Sequence, residues 1–412
     1  MSLTKTSSSF LKLLLPHINK ITHNKDKNID KIIRKIYKNI KLSNEYYNEI
    51  FKGKEIKKHL IKLNHENRDE ILENFSLLKN NTFVPENIQT FIKKNIKCIE
   101  NYNFVINSIN FTVEFIVCDN KEHKIYLKKI IILLNFLLSF FVPHIESLKI
   151  SLCFTDKKKL LPEEKKQTLT KDHINTALTY ACKKDGEILL YRKEEWFKVL
   201  IHELMHSLCF DFAGLNMSFA IQKQLKSMFS VNSDFHITET YSEFWANIFH
   251  TSIISFFSLS NKEDFDDFIL NFRILNEFEK YYSIFSCIKV LDHMGLSYDD
   301  IISDDNKKKS KSLSLYKEET NVFAYHILKS VWLFNTEDIL LWFDKHNKNL
   351  IFSNKEDKYV INILKKTQGL YKAKEYIENI KFIEKLFNTI KDDDDYSDLI
   401  NSLRMTIVEL KN

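Results

Sequence analysis

Interrupters of regular structure are scarce in this chain: its 412 residues include 5 glycines and 4 prolines. So few helix breakers predict a mostly helical protein. The 6 cysteines (Cys98, Cys118, Cys153, Cys182, Cys209 and Cys287) include no C-x-x-C pair. They read as buried free thiols in a reducing compartment, which excludes a disulfide framework. No apolar run reaches the about 20 residues that a bilayer crossing takes. The most apolar stretch, residues 130–142, is shorter, carries Asn135 and Ser139, and predicts a buried helix. Residues 10–15 are interrupted by Lys12 and followed by Pro16, so no signal peptide is expected. The expectation is an unsecreted, intracellular protein with no membrane span.

A large excess of one charge is missing too. The chain carries 61 Lys and Arg against 55 Asp and Glu, a net charge of +6. The basic runs at 157–159 and 307–311 are short and have no interleaved aromatics. They read as solvated loops, and no nucleic-acid partner is expected. No internal repeat is present.

What is there points to a packed core: 44% hydrophobic and 13% aromatic residues, enough to fold into two or three lobes. The expected class is α+β, mostly α. Residues 1–100 read as a charged helical N-terminal region, in which 29–40 is a basic amphipathic helix with an apolar face for the core. From 101 the chain turns β-branched and aromatic. Residues 104–117 predict one long strand or a hairpin. A helix over 122–142, ended by Pro143, follows. Residues 148–154, 176–182 and 187–191 predict three more strands, with a hairpin turn at 183–186. Residues 216–412 read as a helical lobe, with helices over 264–278, 281–294 and 319–334. A mobile Lys-, Asp- and Ser-rich loop at 303–314 and an acidic loop at 391–398 interrupt it. The middle region is therefore 101–215.

That middle region ends in the stretch that carries chemistry. Residues 194–208 read EEWFKVLIHELMHSL and contain H-E-x-x-H at His202, Glu203 and His206. On a helix, residues four apart share a face, so two imidazoles can meet one metal ion. Glu203, beside the first of them, reaches a water on the metal rather than the metal itself. Trp196, Val199, Leu200, Leu204 and Leu208 supply the buried helix face. Glu194 and Glu195 open the helix, and Gly214 follows its end. A zinc site needs a third protein ligand and one open position. Residues 237–249, ITETYSEFWANIF, place Glu239 and Glu243 on one helix face. Two registers are open: Glu239 as ligand with Glu243 behind it, or Glu243 as ligand with Asn247 behind it. The metzincin pattern is excluded, because its glycine position holds Cys209 and its third histidine position Phe212. Asp211, one residue off, is expected to face elsewhere.

This pair of segments resembles the gluzincin, or thermolysin-like, zinc metallopeptidases. That clan joins HExxH to a downstream helix carrying E-x-x-x-D, and E-T-Y-S-E fills the pattern here with Glu in place of Asp. The resemblance implies one Zn²⁺ per chain on His202, His206 and Glu239. Glu243 would then steady a zinc-binding histidine. It implies a zincin-like upper lobe: a small twisted sheet whose last helix carries HExxH. It also implies a cleft-side edge strand that accepts an extended peptide. The edge candidate is 175–182, with Asn175, Thr176 and Ala177 as substrate-binding residues. It implies peptide-bond hydrolysis by a zinc-activated water. Glu203 would be the general base that later protonates the leaving amine. For the donor to the oxyanion, Tyr325, His326 and His293 are candidates, with Tyr325 preferred. The expected partner is a peptide or protein substrate, and endopeptidase is the default because no acidic anchors for a free amine are found. The rival from another class is a catalytically silent structural or interaction protein of the same fold. The Lys-, Asn-, Ile- and Phe-rich composition fits an AT-rich genome such as a large DNA virus or a protist, so packaging in a virion is an alternative to the cytoplasm.

Overall fold

A computed structural model of the chain describes residues 4–409 apart from 21–26, 52–55, 65–66, 68–69, 72–81, 119–122, 142, 213–218, 348 and 352–355. Helices α1 (Lys5–Leu14) and α2 (Lys27–Ile50) precede strand β1 (Lys58–Lys62). Helix α3 (Glu86–Asn95) leads into β2 (Cys98–Ile106), β3 (Ile109–Val117), α4 (Lys124–Leu138) and β4 (Ser147–Thr155). The single turn α5 (Lys171–Ile174), β5 (Ala177–Thr179) and β6 (Asp185–Arg192) follow. The rest is helical: α6 (Trp196–Ser207), α7 (Phe219–Met228), α8 (Ile237–Ser258), α9 (Phe265–His293), α10 (Tyr298–Ile302) and α11 (Asn306–Leu315). A π-helical turn (Phe323–Leu328) runs into α12 (Lys329–Phe334). Then come α13 (Thr336–His346), α14 (Asp357–Gln368), α15 (Lys374–Ile390) and α16 (Ser397–Asn401). The fold is α+β, mostly helical, around one six-stranded mixed sheet. No helix of the described residues is long and apolar enough to cross a membrane.

The sheet runs β1-β2-β3-β4-β6-β5, parallel at β3/β4 and β4/β6 and antiparallel elsewhere. Residues 104–117 form a hairpin because Asn107 and Ser108 both take positive φ, 49° and 65°. A two-residue turn with two left-handed positions matches the twist of its strands. Side chains alternate between two cores, as a period of two demands. In β6, Ile188 and Leu190 join the large core, while Leu189 and Tyr191 join a smaller one with Ile88 and Ile92 of α3. Helices α4 and α6 lie in the large core, so both faces of the sheet are covered. In α2, Ile29, Ile32, Ile33, Ile36, Tyr37 and Ile40 are buried in that same core. Each such side chain contributes roughly 1.5–3 kcal/mol on leaving water.

Three expectations need correction. The first hundred residues are not wholly helical: β1 pairs with β2, Leu60 opposite Glu100. Such a pairing is set by partners far along the chain, and 58–62 has no period-two pattern of its own. Residues 303–314 are not a loop but mostly helix α11. Asp305 caps it by accepting from the N–H groups of Lys307 and Lys308, and Lys311 pairs with Asp300. Caps and ion pairs hold a helix that its apolar content does not announce. The helices read at 264–278 and 281–294 are one, α9, because the intervening Glu279 and Lys280 stay helical, Glu279 being buried.

Candidate metal centre

Helices α6 and α8 face each other with groups spaced four apart. Lys198, His202 and His206 lie on one, Glu239, Glu243 and Asn247 on the other. Every residue of α6 is buried, more than the single apolar stripe predicts, and three of its polar residues, Lys198, His202 and His206, find partners on α8. The Nε2 atoms of His202 and His206 are 3.0 Å apart. Glu239 Oε2 lies 3.2 Å from the first and 3.4 Å from the second. A tetrahedral ion with bonds of about 2.05 Å sets its ligand atoms about 3.3 Å apart. The triangle has the size for such an ion, and among the described residues these three form the group able to hold one.

Each imidazole is backed by a carboxylate. Nδ1 of His202 is 3.1 Å from Glu243 Oε1, and Nδ1 of His206 meets Asp211 Oδ2. The Asp211 carboxylate on His206 Nδ1 fixes that tautomer and leaves Nε2 as a lone-pair donor toward the triangle, while Glu243 stands at ion-pair distance from His202 Nδ1. Asp211 also accepts from Ser242 Oγ at 3.3 Å. Its expected place, facing elsewhere, was argued by helical spacing. But α6 has ended at Ser207, and Cys209 with φ 61° turns the chain back so that Asp211 comes behind His206. Gly214 lies outside the described residues.

Glu243 is not a member of the triangle. Lys198 and Lys329 both hold its Oε2, the latter at 3.5 Å. Asn247 is not behind it either: its Nδ2 donates to Glu279 Oε2 at 3.0 Å. Burial pushes the Glu243 carboxyl up, yet Lys198 and Lys329 hold it well below the usual range. Burial likewise works against a charged His206, but Glu239 and Asp211 hold its pKa well above the ordinary value.

The triangle opens on a cleft of about 1130 Å³. Glu203 lines it beside His202, its carboxyl raised by burial against the pull of His202 and His206. Tyr325 lines it too and donates its O–H to Glu239 Oε2 at 2.9 Å. The π-helical turn that carries Tyr325 is opened by Glu318, which accepts from Phe323 N–H at 2.7 Å. Such turns inside helices recur at functional sites. His326 and His293 do not reach the cleft: His326 Nδ1 is bonded to Ser286 Oγ and His293 Nε2 to the Gln167 carbonyl.

Asn175, Thr176 and Ala177 line the same cleft, and β5 is an edge strand. Tyr191 N–H donates to the Thr176 carbonyl, so Thr176 faces β6. Antiparallel pairing alternates, which turns the backbone groups of Ala177 and Thr179 to the open edge. Asn175 Oδ1 accepts from Thr320 Oγ1 at 3.1 Å. The strand is shorter than the 176–182 expected: it ends at Thr179, and Cys182, with φ 58°, lies in the turn beyond it.

The reading of all six cysteines as free thiols is wrong for two of them. Cys182 and Cys209 form a disulfide with their Cα atoms 4.8 Å apart. Both backbone N–H groups donate to the His206 carbonyl, which brings the two thiols together across 27 residues that give no local sign of it. The bond ties the end of α6 to the turn after β5. Comparison of the chain with family models, with curated proteins and with solved structures finds no match in any of the three.

Proposed function

We propose that the chain is a zinc metallopeptidase of the gluzincin type, with a zincin-like arrangement of edge strand, HExxH helix and ligand-bearing second helix. The observation that carries the reading is the metal-sized triangle of His202, His206 and Glu239, with Glu203 beside it on the wall of an open cleft. Zinc suits the donor set of two imidazoles and one carboxylate, leaves one position open, and supplies Lewis acidity that brings the pKa of a water down to about 7. Glu203 takes the proton from the attacking water and passes it to the departing amine. Burial raises its proton affinity, which suits a group that must collect a proton and keep it until the amine leaves. The Tyr325 hydroxyl, next to Glu239, is the donor best placed for charge developing on the carbonyl oxygen. Ala177 and Thr179 offer backbone hydrogen bonds to an extended peptide lying along β5. The cleft also exceeds the roughly 300–1,000 Å³ of small-molecule sites, in keeping with a polymeric substrate.

Elemental analysis of the purified protein tests this. Near-stoichiometric zinc is expected in the wild type, lost in Glu239→Ala and weakened by roughly 10–100-fold in affinity in Glu243→Ala. A wild type that takes up no zinc after repletion would overturn the proposal.

A further inference from the structure

Beyond a single bridge from Ser402 to Leu160 and the bond from Leu403 N–H to the Lys159 carbonyl, the buried residues 404–408 lie in no helix or strand. Buried backbone N–H groups need acceptors, and two carboxylates provide them. Glu195 Oε1 accepts from Met405 N–H at 2.8 Å and Thr406 N–H at 2.6 Å. Glu279 Oε1 accepts from Ile407 N–H at 2.9 Å, Val408 N–H at 3.3 Å and the Thr406 hydroxyl. Arg404 pairs with Glu409 at 2.6 Å, and the Ser7 hydroxyl donates to the Ile407 carbonyl. Neither acceptor is neutral to the site. Glu195 is the cap residue of α6, the helix that carries both histidines. Glu279 also accepts from Asn247 of α8.

The segment reaches the metal centre by a second route. Lys329, fully buried, donates to the Met405 carbonyl at 3.0 Å and stands 3.5 Å from Glu243 Oε2. The other oxygen of Glu243 faces His202 Nδ1. Met405 itself lines the cleft. A carboxylate with one oxygen held by buried cations cannot rotate that oxygen away without stranding a charge, so the other stays on the imidazole. We propose that Lys329 is a positioning residue for the metal site. It ties the buried segment 404–408, through Glu243, to the orientation of His202, so that metal retention depends on residues some two hundred positions downstream in the chain. The inference rests on the metal-site reading above. It adds that a residue touching no ligand atom governs how long the ion stays.

The test measures zinc release into excess chelator from the zinc-loaded full chain, together with the rise in Tm on zinc loading. It compares wild type, Lys329→Met, Glu279→Gln and the double variant. Lys329→Met is expected to release zinc about 10–100-fold faster, the usual effect of removing support behind a ligand, and to show a smaller zinc-induced rise in Tm. A purely structural lysine would lower the Tm of the zinc-free and zinc-loaded forms alike and leave that rise unchanged. Glu279→Gln, which loosens the segment and leaves the Lys329–Glu243 pair in place, is expected to speed release severalfold. The double variant should fall short of the product of the two single effects, since both act along one path. Release as slow as wild type from Lys329→Met, or effects that multiply, would overturn the proposal. Should Lys329→Met fail to fold, Glu279→Gln alone decides: wild-type release from it overturns the role of the segment. A wild type that holds no zinc would instead sink the metal-site reading.

Discussion

Removing Asp211 is the sharpest probe of how the candidate centre works, because Asp211 lines no part of the cleft and touches His206 only on the nitrogen that faces away from the triangle. Its Oδ2 meets His206 Nδ1, and the side chain is fully buried. In Asp211→Ala the Nδ1–H of a buried imidazole is left without its acceptor, a cost of about 1–3 kcal/mol. The ring can recover part of that by turning, but turning moves Nε2 out of the triangle whose sides are 3.0, 3.2 and 3.4 Å. Either way zinc binding loses the energy, which corresponds to about 5–150-fold in Kd. Asp211→Asn can keep an oxygen on Nδ1–H and lose the charge alone, so its effect should be the smaller of the two. Ser242→Ala, which takes a hydroxyl from Asp211, should be nearly silent. The assay is competition for zinc against a chromophoric chelator near neutral pH, with circular dichroism to show that the variants fold. A folded Asp211→Ala that binds zinc as tightly as wild type would refute the claim that Asp211 orients His206.

Three further outcomes follow from the same geometry. Glu203→Gln should bind zinc as wild type does and lose peptide hydrolysis by roughly 10²–10⁴-fold; an unchanged turnover, or an activity absent from wild type as well, removes Glu203 from the mechanism. The Cys182–Cys209 bond closes a loop of 27-residue separation, worth at most roughly 3–4 kcal/mol by restricting the unfolded chain, so Cys182→Ser with Cys209→Ser should shift the denaturant midpoint down, and dithiol should not shift the double variant further. His250 has its pKa lowered to about 3 by burial and by Lys198, so it is neutral in the fold. Its contribution is full above the unfolded value of about 6.5 and is lost as pH falls from there toward 3, at up to about 1.4 kcal/mol per pH unit. In His250→Gln the fall of unfolding free energy over that window should therefore be shallower, and an identical slope would show that His250 is not the titrating group.

What could be read from the sequence was what repeats locally. The H-E-x-x-H spacing, the apolar stripe of α6 and the strands on either side of Asn107 and Ser108 declare themselves within one or two turns of chain. Their places in the fold follow from periodicity alone. The pair Glu239 and Glu243 was legible only as a pair. Both sit on one stripe of α8, so helical spacing cannot say which faces the histidine nitrogens. The difference lies in Lys198 and Lys329, 45 and 86 residues away from Glu243, which occupy its Oε2. The misses share that cause. Asp211 reaches His206 through a left-handed residue that breaks the helical count, the disulfide through two N–H groups on one carbonyl, and β1 through partners in β2. The segment 404–408, assigned only to the helical lobe, is buried because two carboxylates, Glu279 of α9 and Glu195 at the cap of α6, take up its N–H groups. In such a site the two histidines and Glu203 share a short local motif, while Glu239, Tyr325 and the groups that hold the histidines in place come from distant parts of the chain. Substitutions that spare HExxH can then still cost metal, and at Asp211 and Lys329 they are expected to.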